Sequence, residues 1–271
     1  MTLESAQQVG FSYPEVKTVR LLMQGKNHGD LFVAEGIWAV EKLLKAHIAI
    51  ECLLFCPEKL HVSDELQAAA LAAQQVYSIS AKVCDSLTDR DAAEGCFFLC
   101  RFPHTQLTDV HLPETALIAI LDGLDKPGNV GNIIRTMEGA GGCVVILTHR
   151  RVALTHQRLI RASLGAAWTM PVLDVPFEEL LPWLAEQGFR VLLTDLSAAC
   201  PYYEADYSGR VAIVAGNEIY GISPEWRTQT DVSVQPVIIP MAGACESLNV
   251  GIATTIVAFE AGLRQRGLLQ R

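Results

Sequence analysis

Short, bare apolar runs recur along the second half of the chain, at 117–121, 144–147, 191–194, 211–215 and 237–239. Runs without polar alternation are what parallel strands covered on both faces require. Between them the apolar positions change to helical spacing, at 132–139, 156–164, 177–187 and from 247 to about 264. The last of these is apolar on nearly every face, so it needs cover from several sides, and a subunit interface is one way to supply it. In the first half, 32–45 carries apolar residues at helical spacing and 50–55 reads as a buried strand. Residues 64–75, rich in Ala, Leu and Gln, read as a helix, and 96–100 as another strand. This alternation predicts an α/β protein. A polar stretch bounded by Pro103 and Pro113 predicts the linker. It separates a first domain over residues 1–107 from a second over 114–271.

Composition narrows the class. Of 271 residues, 50% are hydrophobic and 19% charged, which suits two buried cores and argues against intrinsic disorder. Residues 1–10 lack the basic start and apolar run of a signal peptide. The apolar runs are far too short to span a membrane. A cytoplasmic protein with no membrane segment is expected. Of the eight cysteines, Cys52/Cys56 and Cys96/Cys100 are spaced C-x3-C, with no histidine cluster beside them. A zinc site is one reading; buried free thiols in a reducing compartment, with no metal, is the reading adopted. The net charge of −9 counts against RNA as a partner. Locally, however, Arg150, Arg151, Arg158 and Arg161 follow one another with no acid between them. A solvated face and a phosphate-tracking patch both fit that run.

Three loops carry candidate chemistry, each at the C-terminal end of a predicted strand, where open parallel sheets bind ligands. The first contains Gly128, Asn129, Gly131 and, on the helix that follows, Arg135. Its glycines permit a tight turn or close approach, and the guanidinium fork of Arg135 suits a phosphate. The second runs Gly216, Asn217, Glu218 to Gly221; Glu218 is either functional or a simple cap. The third runs from Ile239 and Met241 to Ser247, Leu248, Asn249 and Val250, with Ser247 as a plausible N-cap of the final helix. No G-x-G-x-x-G turn is present, which counts against a dinucleotide-binding dehydrogenase.

Taken together, in order and spacing, these loops resemble the three motifs of the SpoU (TrmH-like) branch of the SPOUT RNA methyltransferases. The resemblance covers roughly residues 115–262. Phe32, Glu35 and Gly36 also match an F-x-x-E-G segment of the small N-terminal domain that many members carry, a domain similar to a ribosomal-protein fold. The resemblance implies a C-terminal trefoil-knotted methyltransferase domain behind a smaller α/β substrate-binding domain. It implies S-adenosyl-L-methionine as cofactor, contacted by Gly216, Ile239 and Leu248 with Thr194 and Met241 nearby. It implies methyl transfer to a ribose 2′-hydroxyl of RNA, either rRNA or tRNA, with rRNA favoured. A catalytically silent RNA-binding member is the alternative. It further implies a homodimer through the knotted region, with Arg135 serving the partner's cofactor. In that scheme Arg135 orients the phosphate and the 2′-hydroxyl, since an arginine does not readily give up its proton. Glu218 and Asn249 hold the loops and Arg135 in place, Ser247 hydrogen-bonds the substrate or its neighbours, and Asn129, which caps or stabilises its turn, completes the candidate catalytic set of Arg135, Asn129, Glu218, Ser247 and Asn249. One departure is Gly251, which follows Val250 where the family often has serine; a glycine inside a helix costs up to about 1 kcal/mol relative to alanine.

Overall fold

The computed structural model describes residues 3–88 and 93–269. In chain order its main elements are β1 (Gln7–Val9), α1 (Pro14–Met23), β2 (Leu31–Glu35), α2 (Trp38–Lys45), β3 (Ile50–Phe55), α3 (Asp64–Ala72), β4 (Gln75–Ile79), α4 (Ala81–Asp85) and β5 (Cys96–Arg101). Then come β6 (Ala116–Asp122), α5 (Pro127–Ala140), β7 (Val144–Thr148), α6 (Gln157–Ser163), α7 (Ala166–Thr169), β8 (Val172–Asp174), α8 (Phe177–Glu186) and β9 (Arg190–Thr194). The chain ends with β10 (Cys200–Pro201), β11 (Arg210–Gly216), α9 (Glu225–Thr228), β12 (Ser233–Ile238) and α10 (Val250–Gln265). It divides into two compact units. One comprises Met1–Pro103 with Ala153–Thr169, the other His104–Val152 with Met170–Arg271. Helices α6 and α7, which follow β7 in sequence, group with the first unit.

The first unit is built on a mixed sheet in the order β1-β4-β3-β5-β2, in which β5 runs antiparallel to both neighbours. Val16, Val19 and Leu22 of α1 pack on Val33, Leu54, Phe97 and Leu99 of the sheet. The stretch 32–45, expected to be one helix, is instead a strand followed by a helix. Phe32, Val33 and Ala34 are all buried and pair with β5, and such pairing overrides helical spacing, a weak local signal. Phe32 also stacks on Trp168 of α7, ring centroids 5.1 Å apart. Five of the eight cysteines are buried here as free thiols. Burial pushes the Cys52, Cys84 and Cys96 thiols up to about 12. Among the described residues no group of three or more His, Cys, Asp or Glu is placed to hold a metal.

The second unit holds a seven-stranded, all-parallel sheet in the order β10-β12-β9-β11-β6-β7-β8. All seven residues of β6 are buried, as a bare apolar run predicts for a central strand. One face packs Ile118, Ile120, Val144 and Ile146 against Phe177, Leu180 and Leu184 of α8 and against Trp226. Helices α10 and α5 pack together closely. A Cβ on Gly262 would lie 2.0 Å from the Ala140 carbonyl oxygen, so that crossing admits only glycine. Register aligns the strand ends: Gly216 pairs with Asp122, Asp122 with Thr148, and Val237 with Thr194. The loops that follow β6, β9, β11 and β12 therefore leave the sheet at one edge.

Two local expectations are corrected here. Asn249, not Ser247, caps α10: its Oδ1 accepts from the Gly251 and Ile252 amides at 2.9 and 3.4 Å. Gly251 thus sits in the first turn rather than in a helix interior, and a Cβ there would come within 3.1 Å of the capping oxygen. Among the described residues no helix is long and apolar enough to cross a membrane.

Candidate functional site

At that edge of the parallel sheet lies a cavity of about 660 Å³, within the range of small-molecule sites. Thr194, Gly216, Ile239, Met241 and Leu248 all line it, together with Glu218, Ser247 and Asn249. Gly216 is required by packing. A Cβ there would lie 2.5 Å from the Gly221 carbonyl carbon and the Ile222 nitrogen, where the second loop folds back. Thr194 donates to the Val214 carbonyl at 2.9 Å, which ties the end of β9 to β11.

Asn129 stands behind the cavity and joins the three loops. Its Nδ2 donates to Glu218 Oε1 at 2.6 Å, and its Oδ1 accepts from Asn249 Nδ2 at 3.2 Å. The other Glu218 oxygen, Oε2, is buried and has no hydrogen-bond partner among the described residues. Such an atom is costly unless something bound satisfies it.

Several residues that matter here were not singled out in the sequence. Asn217 donates to the Gly123 carbonyl at 2.8 Å and accepts from the Ile219 and Tyr220 amides at 2.9 and 3.0 Å, so it fixes the second loop against the first. Asp122, 2% exposed, accepts from the Ser223 amide and hydroxyl, each at 2.7 Å, and pairs with His149 at 2.7 Å. Asp195 and Arg227 form an ion pair in the cavity wall. Burial works against ionisation of Asp195, but the Ser197 amide and hydroxyl and the Arg227 guanidinium outweigh it and hold the carboxyl below the ordinary aspartate range. The Gly-Asn-Glu order drew attention to Glu218 alone, and nothing in the sequence couples Asp195 to Arg227.

The arginines are distributed differently from the cavity residues. Arg135 is not among the cavity residues; it is exposed on α5, and its side chain makes no hydrogen bond or ion pair with the described residues. Arg150 bonds Asp174 at 2.5 Å, and Arg151 lies over the Tyr220 ring at 5.7 Å. Arg158 and Arg161 belong to the other compact unit, where Arg161 pairs with the buried Glu35 at 3.4 Å. The run read as one patch is therefore divided between two units, and two of its members are engaged in ion pairs.

Residues 116–259, more than half of the chain, match the SpoU rRNA Methylase family. The chain belongs to the SpoU rRNA methylase family. Residues 13–97 match the MRM3-like substrate binding domain. Among relatives of this SpoU chain, the 23S rRNA (guanosine-2'-O-)-methyltransferase RlmB of Vibrio vulnificus (strain CMCP6) is 32% identical over 212 residues, 76% of this chain and 83% of that one. The 23S rRNA (guanosine(2553)-2'-O)-methyltransferase RlmP of Bacillus subtilis (strain 168) is 25% identical over 230 residues, 85% of this chain and 88% of that one. The AdoMet-bound rRNA methyltransferase from Sinorhizobium meliloti superposes with a TM-score of 0.84 at 30% identity, covering 98% of this SpoU chain and 99% of its own.

Proposed function

We propose that this SpoU-family chain transfers a methyl group from S-adenosyl-L-methionine to a ribose 2′-hydroxyl of ribosomal RNA. The observation that carries the reading is the convergence of three loops on one cavity, tied together by Asn129. The relatives named above act on 23S rRNA, and one solved neighbour holds the cofactor. These favour rRNA over tRNA and an active enzyme over a silent RNA-binding member.

The residues present fit the cofactor. The cavity offers apolar walls in Ile239, Met241 and Leu248, backbone edges along the second and third loops, and the unpartnered Glu218 Oε2. When bound, S-adenosylmethionine supplies a methyl group already activated by its sulfonium. The remaining task of the protein is positioning. Gly216, Ile239 and Leu248 hold the cofactor, with Thr194 and Met241 closing its sides. Asn129 and Glu218 fix the loops, Asn249 fixes the start of α10, and Ser247 reaches the substrate. Arg135 orients the phosphate next to the reacting ribose and stabilises the negative charge that develops on the 2′-oxygen. Arg150, Arg151, Arg158 and Arg161 contact RNA phosphates.

A homodimer completes this arrangement. Ile252 and Phe259 on α10 are 54% and 39% exposed despite their apolar character, and Phe259 neighbours Gly139 of α5, the helix that carries Arg135. A second copy seated on this face covers the apolar side chains and takes Arg135 to the partner's cavity. The third loop threads the family's trefoil knot, and an rRNA substrate implies work in the cytoplasm. Titration calorimetry with S-adenosylmethionine and S-adenosylhomocysteine tests the cavity. Micromolar binding at one site per chain is expected; no binding of either, with and without rRNA, overturns the reading.

A further inference from the structure

A second cavity, of about 360 Å³, lies wholly within the first compact unit. Its walls come from three stretches distant in sequence. The end of α1 and the turn after it supply Arg20 and Gly25, the chain after α4 supplies Ser86, and α6 with the residue before it supplies His156, Gln157, Arg158 and Arg161. Among the described residues lining it there are three arginines and no carboxylate, in a chain whose net charge is −9.

The arrangement is built rather than incidental. Arg20 donates to the Ser86 hydroxyl at 3.2 Å and lies over the exposed Phe11 ring at 5.1 Å. Glu35 of β2 pairs with Arg161 at 3.4 Å. Arg158 is exposed, and its side chain makes no hydrogen bond or ion pair with the described residues. The His156 ring accepts from the Arg158 amide through Nδ1 at 3.1 Å. Burial, and Arg158 beside it, hold that imidazole below the usual histidine range. Gly25, at φ 78°, lets this ring approach: a Cβ there would sit 3.1 Å from Nε2.

The second observation concerns Gln157. It is 3% exposed, and neither its Nε2 nor its Oε1 has a hydrogen-bond partner among the described residues. A buried amide with both ends unsatisfied is disfavoured, and each unsatisfied group in a folded protein needs a reason. Turned into the cavity it lines, the amide presents one donor edge and one acceptor, the pattern that pairs with the edge of a nucleobase. Guanidinium groups beside it suit phosphate, and an exposed aromatic such as Phe11 suits stacking of an unpaired base.

We propose that this cavity is a subsite for one unpaired nucleotide of the RNA substrate, its phosphate held by Arg20 and Arg158 and its base edge met by the Gln157 amide. The proposal rests on the reading of rRNA as substrate and adds where and how the first unit grips it. Recruiting α6 into that unit is what makes the grip: the short helix supplies Gln157, Arg158 and Arg161.

The test is filter binding of the full chain to a 23S rRNA transcript across a range of salt, with methyl transfer and S-adenosylmethionine calorimetry in parallel. Arg158→Glu is expected to weaken RNA binding about tenfold and to lower the salt slope by about one. Lys45→Glu, an equal charge reversal at an exposed α2 position of the same unit, leaves both unchanged. Gln157→Leu removes the unsatisfied amide, so its Tm holds or rises, while KM for RNA increases with kcat and cofactor affinity intact; a merely structural glutamine would not move KM. Wild-type RNA affinity in both Arg158→Glu and Arg20→Ala overturns the subsite. Absence of methyl transfer by the wild-type chain, with Arg158→Glu still weakening RNA binding, overturns the proposed function and leaves the subsite standing.

Discussion

Asn129 offers the sharpest perturbation of the cofactor cavity, because one side chain joins all three loops. Replacing it with alanine removes the 2.6 Å bond to Glu218 and the 3.2 Å bond from Asn249. The first is assisted by the carboxylate charge and is worth about 1.5–3 kcal/mol; the second, between two neutral amides, is worth about 0.5–1.5 kcal/mol. The loss is made worse by Glu218 Oε2, which already lacks a partner, so the variant leaves an entire carboxylate unpaired beside the cavity. Together these give about 2–4.5 kcal/mol. The bonds lie between loops rather than in the sheet, so most of that loss should appear in the cavity's ability to hold its ligand. If about 2 kcal/mol is felt by the cofactor, Kd rises about 30-fold. Calorimetric titration of Asn129→Ala with S-adenosylmethionine measures this directly, with circular dichroism to show that the sheet persists. A variant that keeps the wild-type Kd within about twofold would refute the claim that Asn129 couples the loops to the cofactor.

Three further outcomes follow from the same geometry. Gly216→Ala forces a Cβ to 2.5 Å from the Gly221 and Ile222 backbone; the overpacking costs about 1–3 kcal/mol, read as a lower Tm and weaker cofactor binding, and an unchanged Tm would contradict it. Arg135→Ala should reduce kcat by about a hundredfold or more while leaving Tm within the small range usual for exposed positions; a stability loss instead would make Arg135 structural. Asp195 is held ionised in the fold, so its contribution is present above the ordinary aspartate value of 3.8 and is lost as pH falls through its lowered folded value. Acid unfolding of the wild-type chain should therefore be steeper than that of Asp195→Asn, and identical pH profiles would count against the Asp195–Arg227 pair.

The parallel sheet was the most legible part of the chain. Strands buried on both faces cannot alternate in polarity, and the runs at β6, β7, β9 and β11 are bare for that reason. Strand β2 was not legible, because Phe32 to Ala34 fit a helix as well as a strand, and only pairing with β5 decides. Helix α5 begins earlier than its apolar spacing indicates, since Pro127 opens it and proline is well suited to a first turn. The cavity residues could be placed because each lies at or beyond the end of a legible strand. The bonds among them could not: Asn129 and Glu218 are 89 residues apart, and local patterns carry no information at that separation. Of the arginine run, Arg150 and Arg151 belong to one compact unit and Arg158 and Arg161 to the other, a division that local patterns do not carry.

The most direct test of the central claim is methyl transfer from labelled S-adenosylmethionine to 23S rRNA, followed by complete nuclease digestion and mass spectrometry of the nucleosides. Label is expected in a single 2′-O-methylated nucleoside, present with the wild-type chain and nearly absent with Arg135→Ala. Label on a base, or equal transfer by the two proteins, would contradict it.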